Sequence, residues 1–322
     1  MLAIKDITDR VSSYNSIIGS LQSALQGSAG DEIFEILATA IPQLFEADAL
    51  FQRYVDKNIL LAQGSARTKP GTPTWKICHE FARIMVEKHS WVYETGGGPG
   101  TMAAGNEGAG VKNSLGLGIE LPFEAGFNET LTGTDQAIEF KHFFARKLMM
   151  MRYAKAVAVF DTGFGTLDEV FETIALIQTG KSPIIPIVFI HSPEAKKING
   201  KTIIETLDEF NRTTAEFGTT SHSDMDLYRI FDDPEKAAQH IVDFYSNFHS
   251  IKRDRLDVRI NTRTKLQLSW CKQAESYFED LVDGQISSTT ANPDSGLYSI
   301  EFKMRSYNYG RLRKLIDFVN YC

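Results

Sequence analysis

Two glycine-rich runs in this sequence have the residue types needed to hold an anion. The first is Glu94-Thr95-Gly96-Gly97-Gly98-Pro99-Gly100-Thr101-Met102, set between the apolar segment Trp91-Val92-Tyr93 and a helix-like stretch from Met102 to Ala109. The second, Asp161-Thr162-Gly163-Phe164-Gly165-Thr166, follows the apolar run Ala156 to Phe160 and leads into Leu167-Asp168-Glu169. Backbone N–H groups at a helix N-terminus are unpaired and point outward, and glycine leaves no Cβ to keep a phosphate away from them. Two such loops on one sheet predict a small phosphorylated ligand gripped from two sides. Gly97, Gly98, Gly100, Thr101 and Met102 would serve on one side and Gly163, Gly165 and Thr166 on the other, with Gly64 and Ser65, at an earlier strand-to-helix turn, beside them.

Charged side chains close to these loops could act on such a ligand. A helix expected over Gln136 to Tyr153 carries Arg146 and Lys147, with His142 four residues before Arg146 and so on the same face. Phe143, Phe144, Leu148, Met149 and Met150 make that helix largely buried, and a buried arginine normally has an anionic partner. Thr166-Leu167-Asp168-Glu169 also fits a capping box, in which Glu169 would only satisfy a backbone N–H. Glu120 lies 22 positions past Gly98, near the spacing of a ribose-binding acid in a dinucleotide fold, but such a fold has no use for the second glycine loop. His79, His89, His191, His222, His240 and His249 lack metal-ligand spacing, so no metal and no cofactor is expected.

The elements that must position these residues follow from hydrophobic period. Residues 1–57 read as a peripheral helical segment, with Ile33, Phe34, Leu37, Ile41 and Leu44 at helical spacing and Gly27-Ser28-Ala29-Gly30 as a break. From 58 to 250 apolar strand-like runs alternate with helical patterns. That alternation predicts an α/β, Rossmann-like doubly wound parallel sheet with ligands beyond the carboxyl ends of its strands. Residues 251–322 read as a small α+β appendage with 12 Lys and Arg against 9 Asp and Glu, a surplus that suits a solvated dimerisation or docking module.

A net charge of −7 argues against general nucleic-acid binding, which needs a basic face. The three cysteines, Cys78, Cys271 and Cys322, are scattered, which suits a reducing cytoplasm. No apolar run reaches membrane-spanning length, and Met1 to Arg10 lacks the pattern of a secretion signal, so a cytoplasmic protein without membrane contact is expected.

Four ordered motifs resemble the LONELY GUY family, Rossmann-like phosphoribohydrolases long labelled lysine decarboxylases. They are Gly96 to Met102 with Asn106 and Gly108-Ala109, then Glu120-Leu121-Pro122-Phe123-Glu124, then Phe143-Phe144-Ala145-Arg146-Lys147, and Gly163 to Glu169. The family motifs are Arg-Lys-x-x-Met and Pro-Gly-Gly-x-Gly-Thr-x-x-Glu, and at one place this chain departs from them, with Asp161-Thr162 where Pro-Gly is expected. The resemblance covers about residues 58–250. It implies hydrolysis of the N-glycosidic bond of a nucleoside 5′-monophosphate, with Arg146 and Glu169 as the catalytic pair, Lys147 at the substrate site, and a homodimer or higher homo-oligomer. The alternative is a non-catalytic nucleotide sensor or carrier using the same pocket. Decarboxylation would need a lysine placed for a Schiff base, and neither Lys147 nor Lys181 is distinguished in that way.

Overall fold

A computed structural model describes residues 7–27, 30–122 and 126–321. Met1 to Asp6, Ser28 and Ala29 of the glycine break, Phe123 and Glu124 of the second motif, and Cys322 lie outside the described residues. The chain opens with two helices, α1 (Ile7–Gln26) and α2 (Asp31–Gln52). Ala40, Ala47, Leu50 and Phe51 of α2 fall at helical spacing and pack onto the core.

Strands and helices then alternate as β1 (Ile59–Gln63), α3 (Pro73–Glu87), β2 (Val92–Thr95), α4 (Thr101–Ala109), β3 (Ser114–Ile119), β4 (Ala137–Phe140), α5 (Phe143–Tyr153), β5 (Ala154–Val159), α6 (Phe164–Gln178), β6 (Ile187–Ile190), α7 (Ile203–Glu216), β7 (Tyr228–Phe231) and α8 (Pro234–Asp243). The seven strands form one parallel sheet in the order β4-β3-β2-β1-β5-β6-β7. Every residue of β1, β2 and β6 is buried, as expected of central strands covered on both faces. Leu60, Ala62 and Tyr93 meet α3, α4 and α8 on one face, while Leu61, Val92, Leu117 and Val157 meet α2, α5, α6 and α7 on the other.

Strand order reverses between β1 and β5. The chain runs outward from β1 to β4, returns to pair β5 against β1, and runs outward the other way. The connections after β1 and β5 therefore diverge to opposite faces and leave a crevice at the carboxyl edge of the sheet.

Several elements differ from the sequence expectation. The helix expected over Gln136 to Tyr153 is a strand and a shorter helix: in β4, Ile138 and Phe140 point inward with period two, and the strand pairs with β3. His142 stands before α5 with extended backbone, and its Nε2 lies 2.8 Å from the Thr39 hydroxyl, so it shares no helical face with Arg146. Pairing with β3 decides for a strand over Ala137 to Phe140, and the helix begins only at Phe143. α7 and β7, between Ile190 and Asp232, were not anticipated.

The remaining chain adds β8 (Phe248–Asp254), β9 (Asp257–Thr262), α9 (Leu268–Tyr277), β10 (Val282–Ser288), β11 (Tyr298–Met304) and α10 (Tyr309–Asn320). Its four strands form an antiparallel sheet in the order β10-β11-β9-β8, of which β8 and β10 were not foreseen. α10 seals this sheet to the parallel one. Gly310 touches the chain at Ser223, where a Cβ would stand 1.9 Å from the Ser223 carbonyl oxygen, and fully buried Arg313 pairs with Asp317 while its guanidinium lies 4.4 Å from the Phe244 ring centre. Among the described residues no helix is long and apolar enough to cross a membrane, and no group of three His, Cys, Asp or Glu side chains is placed to hold a metal ion.

Candidate functional site

The first glycine run leaves β2 at the carboxyl edge and is braced from behind. The Thr95 hydroxyl accepts the Gly97 N–H at 2.9 Å and donates to the Asn106 side-chain oxygen at 2.8 Å. The Asn128 amide donates to the carbonyls of Gly97 (3.0 Å) and Gly98 (3.1 Å) and to the same Asn106 oxygen (2.9 Å). Gly97 has φ +72°, and a Cβ there would stand 2.6 Å from the Phe127 ring, so glycine is required twice over. At Gly100 a Cβ would come within 2.2 Å of the Ser65 carbonyl oxygen, which accepts the Thr101 N–H at 3.1 Å. The Thr101 N–H is thus committed to Ser65.

The second run is built differently. α6 begins at Phe164, its N-cap is Gly163, and no side chain caps it. The capping-box reading of Thr166 and Glu169 fails because the helix starts too early: Thr166 already lies inside the first turn. Its first N–H groups therefore face the crevice without a side-chain acceptor.

Between the two runs lies a cleft of about 670 Å³. Gly64, Ser65, Gly98 and Met102 line it from one side and Gly163, Gly165 and Thr166 from the other, whereas Gly97, Gly100, Thr101 and Lys147 lie behind its surface. Arg146 of α5 and Glu169 of α6, 23 positions apart in sequence, meet in its wall as an ion pair with side chains only 9% and 14% exposed. The Arg146 guanidinium also lies 5.4 Å from the Phe143 ring centre. Burial raises the pKa of Glu169, and the charges of Arg146 and Lys147 oppose that shift. Lys147 bridges Asp168 (2.6 Å) and Glu172 (3.0 Å); burial disfavours its charge, but these two partners hold its pKa above the ordinary value.

Asp161 accepts from the hydroxyls of Thr68 (3.2 Å) and Thr74 (3.3 Å), so its carboxylate turns toward the β1–α3 connection and away from the glycine cleft. Burial raises its pKa against those two hydrogen bonds, and neither Arg146 nor Lys147 pairs with it.

Residues 84–241 match the model of a family described as possible lysine decarboxylases, the LONELY GUY family. This stretch of the chain carries that family's domain. The LONELY GUY motifs thus occupy the two glycine runs and the facing ends of α5 and α6. No curated protein matches the chain in sequence. Among solved structures, the molybdenum cofactor binding protein of Rippkaea orientalis is similar over 58% of this chain and 96% of its own, at 19% identity and TM-score 0.41. The molybdenum cofactor carrier protein of Chlamydomonas reinhardtii is similar over the same shares, at 17% identity and TM-score 0.37.

Residues around this LONELY GUY site that sequence reasoning did not single out include Asn128, Phe127 and Glu94. Asn128 and Phe127 follow no local pattern, since they act on a loop 30 positions upstream. Glu94 did carry a signal, a carboxylate inside the strand-like run before the glycines. It points to the α5 and α6 face, is fully buried, and neither carboxylate oxygen has a hydrogen-bond partner among the described residues. Burial first, and then the charge of Glu169, hold its pKa well above the carboxylate range.

Proposed function

We propose that the cleft binds a nucleoside 5′-monophosphate and hydrolyses its N-glycosidic bond, releasing the free base and ribose 5-phosphate. The observation that carries this reading is the buried Arg146–Glu169 pair in the wall of a cleft bounded by two glycine turns. The uncapped start of α6 and the Gly98 turn would receive the phosphate through backbone N–H groups. Glycosidic cleavage develops positive charge at the sugar carbon, which the Glu169 carboxylate would stabilise while orienting water. The water hydroxyl adds to the sugar carbon and its proton ends on the departing base nitrogen. Arg146 keeps Glu169 ionised in a site where burial favours the neutral acid.

A second reading, a nucleotide sensor or carrier without turnover, is favoured by one observation. In the structure Arg146 is committed to Glu169, so the two charges already satisfy each other. Incubation with a panel of nucleoside monophosphates, with free base read by chromatography, separates the two: hydrolysis yields base that Glu169→Gln does not, and a carrier binds nucleotide and releases none. The family resemblance also implies a homodimer, which light scattering would test.

A further inference from the structure

Beside the glycine cleft lies a second one, of about 1040 Å³, among the β1–α3 connection, the β5–α6 turn and the long connection from β6 to α7. Ser65, Arg67, Thr162 and Ile203 line both clefts and so form the ridge between them. The two glycine runs converge on this ridge. The Ser65 carbonyl accepts the N–H and the hydroxyl of Thr101, at 3.1 and 3.3 Å, and Thr162 directly precedes Gly163. An anion at the uncapped start of α6 would rest against the ridge, with the second cleft just beyond.

Charge is unevenly divided across it. The glycine cleft is lined by Arg67 and Arg146 against Glu139 and Glu169, and Arg146 is already paired. The second cleft is lined by Arg67, Lys69, Lys196 and Lys201 against Asp161 and Glu209. Lys201 pairs with Glu209 at 2.7 Å, whereas Arg67, Lys69 and Lys196 have no carboxylate partner among the described residues. Both carboxylate oxygens of Asp161 are engaged by the hydroxyls of Thr68 and Thr74. A monophosphate at the glycine runs would leave most of this positive charge unused. Additional negative charge on the ligand is stabilised if it extends across the ridge.

We infer that the second cleft is a polyphosphate subsite, so that beside the monophosphate the site takes nucleoside di- and triphosphates whose first phosphate lies at the start of α6 and whose further phosphates reach Arg67, Lys69 and Lys196. The inference rests on the nucleotide reading above for the orientation of the ligand. Lysine ammonium groups, which act as point charges on flexible stems, suit a chain of phosphates in an open cleft. The departure of Asp161-Thr162 from Pro-Gly then belongs to this second cleft, which both residues line.

Inorganic phosphate and tripolyphosphate, which carry no base, are titrated into the full chain by calorimetry at low ionic strength. Tripolyphosphate is expected to bind about tenfold more tightly than phosphate, and Lys69→Ala/Lys196→Ala to weaken it about tenfold while phosphate changes less than about twofold. Both lysines are exposed, so the variant keeps its fold. Equal affinity for the two anions, or tripolyphosphate binding that ignores the lysines, overturns the subsite. Base release is followed in parallel on mono- and triphosphates. Lysine-dependent tripolyphosphate binding without any base release retires the hydrolase reading and leaves the subsite standing; base release with lysine-insensitive binding does the reverse.

Discussion

Replacing Arg146 by methionine tests the buried ion pair directly, because it keeps most of the side-chain volume and removes only the charge and its hydrogen bonds. Breaking a buried pair by deleting one partner costs about 3–5 kcal/mol, since the other charge is left uncompensated. Glu169 has an escape, which is to take up a proton. From its ordinary pKa of 4.5 in the unfolded chain, holding it neutral costs about 0.8 kcal/mol at pH 5 and about 4.8 kcal/mol at pH 8, at about 1.36 kcal/mol per pH unit. The folded variant takes whichever route is cheaper. Its loss of stability is therefore expected near 1 kcal/mol at pH 5, by protonation, and 3–5 kcal/mol at pH 8, limited by the buried charge. The sign follows from the raised folded pKa: the unfolded chain releases the proton first, so stability falls as pH rises from about 4.5. Urea unfolding of wild type and Arg146→Met at the two pH values measures both losses. An equal loss at pH 5 and pH 8, or a larger one at pH 5, would refute the picture of Glu169 as a buried carboxylate that depends on Arg146.

Glu169→Gln leaves the buried Arg146 guanidinium, which cannot shed its charge, without its carboxylate, so it should cost about 3–5 kcal/mol in urea unfolding at pH 5 and pH 8 alike and release no base in the nucleotide assay; surviving hydrolysis removes Glu169 from the chemistry. Glu94→Gln should be more stable than wild type at pH 8 and converge with it near pH 4. Buried Glu94 holds a proton that the unfolded chain gives up as pH rises, and glutamine does not titrate; a thermal melting series over pH that shows no convergence would contradict this. Gly163→Ala meets open space, so its melting temperature should hold while phosphate affinity falls, and a fall in melting temperature instead would point to a structural role. Gly310→Ala drives a Cβ into the Ser223 carbonyl and should cost about 1–3 kcal/mol or more in urea unfolding; a neutral result would mean that α10 is not seated as described.

What the sequence made legible was local. The strand, glycine turn and helix start around Gly163 could be read because three neighbouring signals agree, and the parallel sheet followed from repeating that pattern. The buried character of the stretch around Arg146 also pointed to an anionic partner, which proved to be Glu169. Illegible features depended on distant chain. Ala137-Ile138-Glu139-Phe140 has apolar residues compatible with helix or strand, and only pairing with β3 decides. Thr166 and Glu169 satisfy the capping-box spacing, yet the helix begins at Phe164, because no local rule forbids the glycines from entering its first turn. The orientation of Asp161 was open for the same reason: its partners Thr68 and Thr74 lie some 90 positions upstream.

The seam along α10 also bears on how far the two parts can be separated. Leu312, Leu315, Ile316 and Val319 of α10 belong to the same apolar cluster as Val157 and Val170 beneath the site, and Asp317 accepts from Arg229 of β7 at 3.2 Å. On the parallel-sheet side, that contact surface includes a bare backbone at Ser223 and a glycine at Gly180, whose carbonyl Arg253 binds at 3.1 Å. A chain cut before β8 would uncover the part of α6 against which α10 packs and leave Arg229 without Asp317. The module and the parallel-sheet body are thus complementary along this seam, and grafting either onto another body would require the matching contacts of the other.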